Sequence, residues 1–249
     1  MKPKSPTIRT KELTIGYGKS ELLSHISISA ESGSLTTLLG ANGAGKSTLL
    51  KTLAGLCKKI SGDLWIGEKN AEELSAGDKA TMISLVLTDR IFPGYMTIAE
   101  LVAMGRHPYT NWRGRLNADD EQATKDALEM TGLFEIKDKD LHHLSDGQLQ
   151  KAQIARALAQ DSAIMLLDEP LIHLDIPSKW EIMALLKRMA KEKQKTIILA
   201  THELELSLKM ADRIWLINKD HDLVTGTPDQ MIANNTIAET FNTDHYQFS

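Results

Sequence analysis

The sequence contains a single cysteine, Cys57, so no disulfide bond can form within one chain. This scarcity fits a reducing compartment, and the neighbouring leucines favour a buried thiol over a reactive one. No apolar run approaches the roughly 18 residues that a membrane-spanning helix needs, and no apolar segment typical of a signal peptide follows the basic N-terminus. Basic residues are not in excess either, since the formal net charge is -4. That balance argues against a nucleic-acid-binding protein, which usually carries a basic stripe.

Strand and helix patterns alternate along most of the chain. Alternation of apolar and polar residues and short apolar runs predict strands at 7–15, 22–30, 34–39, 83–87, 163–167, 196–200 and 213–217, with a turn at 16–18. Helical periodicity predicts helices at 46–56, 97–104, 118–131, 147–160, 177–192 and 203–210. Strands that alternate with helices predict a parallel sheet covered on both faces. The irregular segment 106–117, with prolines nearby, is predicted to be a surface loop.

A glycine-rich segment lies between a predicted strand and a predicted helix. Residues 40–47 match the pattern G-x-x-x-x-G-K-[ST] in full. Glycines let successive backbone N–H groups point into one concavity, and the helix N-terminus favours an anion at the same place. A plain turn with a solvated lysine is the alternative, which the complete motif in this context disfavours. The residues predicted to bind ATP here are Gly40, Asn42, Gly43, Ala44, Gly45, Lys46, Ser47 and Thr48.

Two adjacent carboxylates complete the predicted site. Asp168 and Glu169 follow the apolar residues 164–167, at the carboxyl end of a strand, where open α/β sheets bind ligands. We expect Asp168 and the Ser47 hydroxyl to hold Mg²⁺, Lys46 to reach the β- and γ-phosphates, and Glu169 to act as general base on the attacking water. Two solvated acids would be the better interpretation if the glycine-rich segment were absent. Together the motifs predict a protein that binds and hydrolyses Mg-ATP.

A further motif precedes the acidic pair. Residues 144–148, Leu-Ser-Asp-Gly-Gln, resemble the LSGGQ signature of the ATP-binding cassette (ABC) ATPases. The order of motifs is also that family's, and the resemblance covers essentially the whole chain. In chain order these are an aromatic residue at Tyr17, the phosphate loop at 40–47, the signature at 144–148, the acidic pair at 168–169, a D-loop at 174–175 and a switch histidine at His202.

The resemblance implies a fold. It is an α/β fold with a P-loop NTPase (RecA-like) core and a mainly parallel sheet, an N-terminal antiparallel β subdomain and an inserted α-helical subdomain. The whole chain, 1–249, would form a single ABC ATPase domain. Residues from about 1–90 and 160–249 would form the nucleotide-binding core with the β subdomain, and those from about 91–159 the helical subdomain that carries the signature.

The resemblance also implies roles for individual residues. Tyr17 would stack on adenine, although a turn tyrosine that packs on the sheet fits as well. His202 would contact the γ-phosphate and orient the water, which makes Lys46, Glu169 and His202 the expected catalytic residues. Cassettes of this family pair head to tail, so that each signature closes on the other's nucleotide. The signature residues are Ser145, Gly147 and Gln148, and Ser145 is in addition a good N-cap for the helix that follows.

Two positions depart from the family pattern. Thr88 stands where the family usually has a glutamine that contacts Mg²⁺ or water. Its shorter hydroxyl would reach the ion only through a water molecule, and the alternative is that Asp89 takes the place of the glutamine. Asp146 replaces the second glycine of the signature. An acid is favourable at a helix N-terminus but repels a triphosphate, so we expect the Asp146 side chain to point away from the nucleotide.

A single cassette of this size resembles the separate motor subunit of a transporter. Residues 104–109, Met-Gly-Arg-His-Pro-Tyr, resemble a stretch of the importer ATPases for iron-siderophore complexes, haem and cobalamin. A helix end followed by a proline explains the same residues without a transporter. The alternatives are an ATPase of an exporter, a soluble ABC protein of translation or DNA repair, and a nucleotide-gated module with little turnover.

The importer interpretation implies a set of cofactors and partners. ATP and Mg²⁺ would be bound, a second copy would complete the site, and a transmembrane permease would receive the motion. An extracytoplasmic substrate-binding protein would take part indirectly, and nucleic acid would not. The subunit would lie at the cytoplasmic face of the inner membrane as a peripheral protein.

Overall fold

The computed structural model describes residues 6–87, 95–110 and 114–241. Thr88 and the end of the C-terminal tail therefore lie outside the described residues. The strands are β1 Pro6–Tyr17, β2 Ser20–Ile26, β3 Ser29–Glu31, β4 Leu35–Leu39, β5 Ser61–Ile66, β6 Lys69–Asn70, β7 Ile83–Val86, β8 Ile164–Asp168, β9 Thr196–Ala200, β10 Arg213–Ile217 and β11 Leu223–Gly226. Among the described helices, none is long and apolar enough to cross a membrane.

The described helices pack mainly against the larger sheet and form much of the middle of the chain. They are α1 Lys46–Leu53, α2 Ala76–Met82, α3 Ile98–Ala103, α4 Ala118–Met130, α5 Asp146–Ala159, α6 Ile176–Glu192, α7 Leu204–Met210, α8 Pro228–Ala233 and α9 Thr236–Phe241. Short 3-10 helices in the described part of the chain lie at Met104–Tyr109, Phe134–Ile136 and Leu141–His143.

The larger sheet has the strand order β11-β10-β4-β9-β8-β7. All its pairings are parallel except β10 with β11. Every residue of β4, β8 and β9 is buried, as expected for strands whose two faces are both covered. The predicted α/β fold with a mainly parallel sheet is therefore confirmed.

Alternate residues of β8 enter two different cores, because successive side chains of a strand point to opposite faces. Met165 and Leu167 pack with the apolar faces of α3 to α6, whereas Ile164 and Leu166 pack with α1 and the N-terminal strands. One sheet thus holds the helical middle of the chain on one side and the N-terminal region on the other.

The smaller sheet is antiparallel and has the order β2-β1-β5-β6, with β3 also paired to β1. The backbones of β1 and β5 approach so closely at Gly62 that a Cβ atom there would lie 2.1 Å from the carbonyl oxygen of Glu12. Only glycine fits such an approach, and the φ of Gly62, 80°, also favours glycine. The predicted N-terminal antiparallel sheet is confirmed.

The structure differs from several local predictions. β1 continues through Tyr17, so the turn lies at 18–19 and not at 16–18. The predicted strand 22–30 is two strands, β2 and β3, which pair with different parts of β1. The prediction of a loop across 106–117 was wrong at its start, where residues 104–109 form a 3-10 helix, and α4 begins at Ala118 after the N-cap Asn117.

The 3-10 helix at 104–109 is held against α5 and the start of α4. A Cβ on Gly105 would lie 2.1 Å from the Arg156 carbonyl oxygen, so the two backbones are in direct contact. The buried guanidinium of Arg106 donates from Nε to Asp120 Oδ1 at 2.9 Å and from Nη1 to the Ala159 carbonyl oxygen at 2.8 Å. The Tyr109 ring lies 4.0 Å from the same guanidinium. These contacts hold residues 104–109 in a 3-10 helix, although their sequence pattern is typical of a loop.

We expect Arg106→Met to destabilise the protein by about 3 kcal/mol, because it leaves the Asp120 carboxylate buried without its cation. Chemical unfolding followed by circular dichroism measures the change. Lys125→Met is the matched control, since Lys125 lies on the exposed surface of α4, where Nζ is 3.8 Å from Glu129 Oε1 and 5.9 Å from the centre of the Phe134 ring, and its cost should stay below about 1 kcal/mol. Equal costs for the two variants would contradict the role given to Arg106.

Candidate nucleotide-binding site

The glycine-rich loop connects the end of β4 to the start of α1. Gly43 and Gly45 have left-handed backbones, with φ of 80° and 105°. A Cβ on Gly45 would also lie 3.0 Å from Leu22 Cδ2, a tight contact that adds to the preference of this left-handed backbone for glycine. Gly45 is the N-cap of α1, and no side chain caps the helix. The N–H groups at this helix start are therefore suited to a phosphate group.

Lys46 extends back across the loop that precedes it. Its side chain is only 6% exposed, and Nζ donates to the carbonyl oxygens of Gly40 and Ala41 at 2.9 and 3.2 Å. The same Nζ lies 3.4 Å from Glu169 Oε1. The predicted phosphate-binding lysine and the predicted general base are thus brought together, with the cation placed inside the curve of the loop.

Ser47 and Asp168 supply two oxygen atoms that converge from different elements. The Ser47 hydroxyl donates to Asp168 Oδ1 at 2.8 Å, joining the first turn of α1 to the end of β8. Burial raises the pKa of the Asp168 carboxyl, the Ser47 hydrogen bond lowers it, and the neighbouring Glu169 raises it further. A hydroxyl and a buried carboxylate are the hard oxygen ligands that Mg²⁺ prefers, so the residues present fit the ion.

Glu169 and His202 meet at the same edge of the sheet. Because Asp168 lies level with Ala200 in the parallel pairing of β8 with β9, the residues after each strand end become neighbours. The Glu169 N–H donates to the Ala200 carbonyl oxygen at 3.0 Å, and His202 Nδ1 lies 2.9 Å from Glu169 Oε2. Glu169 has a left-handed backbone, with φ of 48°, unusual for a residue other than glycine. The carboxylate therefore lies between Lys46 and His202.

Tyr17 lies at the end of β1, not in a turn. Its ring is 65% exposed, and its hydroxyl lies 3.0 Å from Thr48 Oγ1 in α1. This contact places the tyrosine beside the helix that follows the glycine-rich loop. Stacking of the ring on adenine stays a prediction.

The signature residues form the start of α5. The Ser145 hydroxyl accepts a hydrogen bond from Gln148 N, and Gln148 Oε1 accepts one from Ser145 N, both at 3.2 Å. The pair is a capping box, so the predicted N-cap is confirmed. Within the described residues, the side-chain hydrogen bonds of Ser145 and Gln148 connect them to each other and not to the phosphate loop. A Cβ on Gly147 would lie 3.1 Å from Ser178 Oγ, at the start of α6.

One residue beside the site has no counterpart in the motifs of the sequence. Glu203 Oε1 lies 3.6 Å from His202 Nε2 and accepts a hydrogen bond from Lys179 Nζ at 2.5 Å. Its position immediately after His202 was the available signal, but Lys179 is distant in sequence and no pattern connects the two. The structure therefore adds Glu203 and Lys179 to the surroundings of the site.

Comparison with known families agrees with this geometry. The ABC transporter family model matches residues 16–172, well over half of the chain. This chain belongs to the ABC transporter family. An ABC transporter ATP-binding protein of Methanocaldococcus jannaschii is 35% identical over 97% of this chain and 83% of its own. This ABC protein therefore binds ATP and has ATPase activity coupled to transport.

Other relatives of the ABC protein carry names of import systems. The iron(3+)-hydroxamate import ATP-binding protein FhuC of Bacillus subtilis is 34% identical over 96% of this chain and 88% of its own. The ferric enterobactin transport ATP-binding protein FepC of Escherichia coli is 33% identical, over 94% and 86%. Among solved structures, a metal-chelate type ABC transporter in an inward-facing conformation matches with a TM-score of 0.83 and 25% identity, covering 95% of this chain and 89% of that one.

We expect Asp168→Asn to raise the Tm at neutral pH by a few degrees. Burial raises the pKa of Asp168 in the folded state. The stability that accompanies a raised pKa is present below the unfolded pKa and is lost as the pH rises through the folded one. The asparagine has no charge to desolvate, so its advantage should appear above the folded pKa and vanish in acid. Thermal unfolding without nucleotide, as a function of pH, measures this.

Asp175→Asn is the matched control for Asp168→Asn. Hydrogen bonds from Ser178 lower the pKa of Asp175, which is the opposite direction, so removing that charge should not raise the Tm. A Tm for Asp168→Asn at or below that of the wild type at neutral pH would contradict the cost of burial.

Proposed function

We propose that this ABC protein is the ATP-hydrolysing motor of an importer for iron-siderophore complexes, or for the related chelates haem or cobalamin. The observation that supports a hydrolytic motor is the position of Glu169 between Lys46 and His202, with Nζ 3.4 Å from one carboxylate oxygen and Nδ1 2.9 Å from the other. The names of two relatives, an iron(3+)-hydroxamate import and a ferric enterobactin transport ATP-binding protein, support the class of cargo.

Binding begins at the glycine-rich loop. The N–H groups at the start of α1 and the Lys46 ammonium bind the phosphates, and Tyr17 contacts the base. Ser47 and Asp168 would hold Mg²⁺, which neutralises charge on the phosphate oxygens when bound. Because Lys46 Nζ is paired with Glu169 in the structure, a triphosphate that attracts the ammonium also releases the carboxylate for catalysis.

Hydrolysis is assigned to Glu169 and His202. The oxygen of a water molecule attacks the γ-phosphorus, the bond to the β–γ bridging oxygen breaks, and Glu169 accepts the proton of the water. His202 orients Glu169 through Nδ1 and stabilises charge on the γ-phosphate. Lys46 stabilises the same charge, and its burial strengthens this effect, because water screens it little.

The signature supports a head-to-tail dimer. Ser145 is exposed and is the N-cap of α5, and a helix N-terminus favours an anion. Within the described residues, the side-chain hydrogen bonds of Ser145 go to Gln148 and not to the chain's own phosphate loop. Ile176, at the start of α6, is 71% exposed, which suits a residue that a second copy covers. Two copies would therefore bind two nucleotides between them, and loss of the γ-phosphate would separate them.

Closing and opening of the dimer would move a permease. We assign this contact to the middle of the chain, where Met104 and Tyr109 present exposed apolar surface on the 3-10 helix fixed by Arg106. The subunit would lie at the cytoplasmic face of the cell membrane, bound to its permease, and an extracytoplasmic binding protein would deliver the cargo. An exporter motor would share all these residues and differ only in the permease.

We expect Glu169→Gln to keep its affinity for Mg-ATP, to lose turnover by at least about 100-fold, and to form a stable dimer with ATP and Mg²⁺. Light scattering coupled to size exclusion measures the mass, and phosphate release measures turnover. Lys46→Ala is expected to lose nucleotide binding instead, because it removes the cation that contacts the phosphates.

Two results would contradict the proposed function. A Glu169→Gln variant that binds ATP but stays monomeric would exclude the head-to-tail dimer. Background turnover of the wild-type chain, even with its membrane partner present, would instead favour a nucleotide-gated module without a motor function.

A further inference from the structure

Both ring nitrogens of His202 lie near carboxylates. Nδ1 is 2.9 Å from Glu169 Oε2, and Nε2 is 3.6 Å from Glu203 Oε1. A ring rotated by 180° would place carbon atoms at both positions, so the two carboxylates together favour the observed orientation. The surroundings of His202 thus select the orientation of its ring.

Glu203 is itself held in place. Lys179 Nζ donates to the same oxygen, Oε1, at 2.5 Å, and both side chains are only about one-fifth exposed. A partly buried pair of this kind loses less to solvent screening than a surface pair. Lys179 is therefore able to fix the carboxylate next to the imidazole.

Among the described residues, the Glu203 side chain contacts Lys179 and His202. It precedes α7 as the N-cap residue, but its side chain makes no capping hydrogen bond. The backbone makes the helix start, since the Glu203 carbonyl oxygen accepts from Ser207 N at 3.1 Å and Ser207 Oγ at 2.8 Å. Replacing the side chain therefore leaves the start of α7 intact.

Lys179 belongs to a helix that also contacts the signature helix. One residue before it, Ser178 lies against Gly147 of α5. Two residues after it, Glu181 accepts a hydrogen bond from Lys151 of α5 at 2.5 Å. The first turns of α6 thus contact α5 on one side and hold Glu203, beside His202, on the other.

We propose that Glu203, held by Lys179, is a positioning residue for ATP hydrolysis that orients His202 toward Glu169. The proposal rests on the roles given to Glu169 and His202 in the proposed function. Through Lys179, α6 would also connect the signature helix α5 to His202, because a shift of α6 relative to α5 would move Lys179 and with it the support of His202.

Steady-state phosphate release by the full chain tests the proposal. We expect Glu203→Gln to lower kcat by about tenfold, as for other groups that orient a functional histidine, and to change the KM for Mg-ATP by less than about twofold. Lys179→Met should lower kcat in the same direction. Glu205→Gln is the matched control: Glu205 lies in α7, its exposed carboxylate pairs with Lys209 on the same helix, and its replacement should leave kcat within about twofold of wild type.

A double-mutant cycle separates positioning from a general loss of structure. If Glu203 acts through His202, Glu203→Gln should change kcat by less than about twofold in a His202→Ala background. Equal losses in both backgrounds would overturn the proposal, as would an unchanged kcat in the single variant.

The wild type and Glu169→Gln distinguish this proposal from the function on which it rests. Turnover that Glu169→Gln abolishes, combined with an unaffected Glu203→Gln, overturns only the role of Glu203. Turnover that Glu169→Gln does not reduce overturns both.

Discussion

Strands β4, β9 and β8 run parallel as neighbours, with Leu38 level with Ala200, and Ala200 level with Asp168. Parallel strands bring their carboxyl ends to one edge of a sheet. Residues that follow these strands are far apart in sequence but meet there: the glycine-rich loop after β4, the acidic pair at β8 and His202 after β9. The apolar packing on both faces of these strands therefore also determines the geometry of the site. A shift in the pairing of one strand would separate the catalytic groups.

The charged side chains at this edge of the sheet stabilise one another in the folded state. Lys46 and Asp168 are almost completely buried, which is costly for single charges. Lys46 is stabilised by two carbonyl oxygens and Glu169, and Asp168 by the Ser47 hydroxyl. Burial still raises the pKa of Asp168, so the site retains an electrostatic cost that a bound cation would remove. A bound cation would therefore stabilise the folded state, because it binds the native site and removes this cost.

Much of this site was predictable because its signals are local. The phosphate loop needs a strand, glycines and a helix in succession, and residues 35–53 contain all three. The signature's N-cap is equally local, since Ser145 and Gln148 are three residues apart. Pairings between distant segments were not predictable: β5 forms against β1, and the 3-10 helix at 104–109 depends on Arg106 reaching Asp120 and Ala159. The importance of Glu203 was hidden for the same reason, because Lys179, which holds it, comes from another helix.

ATP hydrolysis at this edge of the sheet is proposed to drive an import permease. The most direct test is to tag the Glu169→Gln variant in its native organism, solubilise the membranes gently with ATP present, and identify the proteins that co-purify. A polytopic permease is expected to co-purify with the variant in stoichiometric amount. Recovery of ribosomes or DNA-repair factors without any membrane protein would contradict the account and leave only the ATPase.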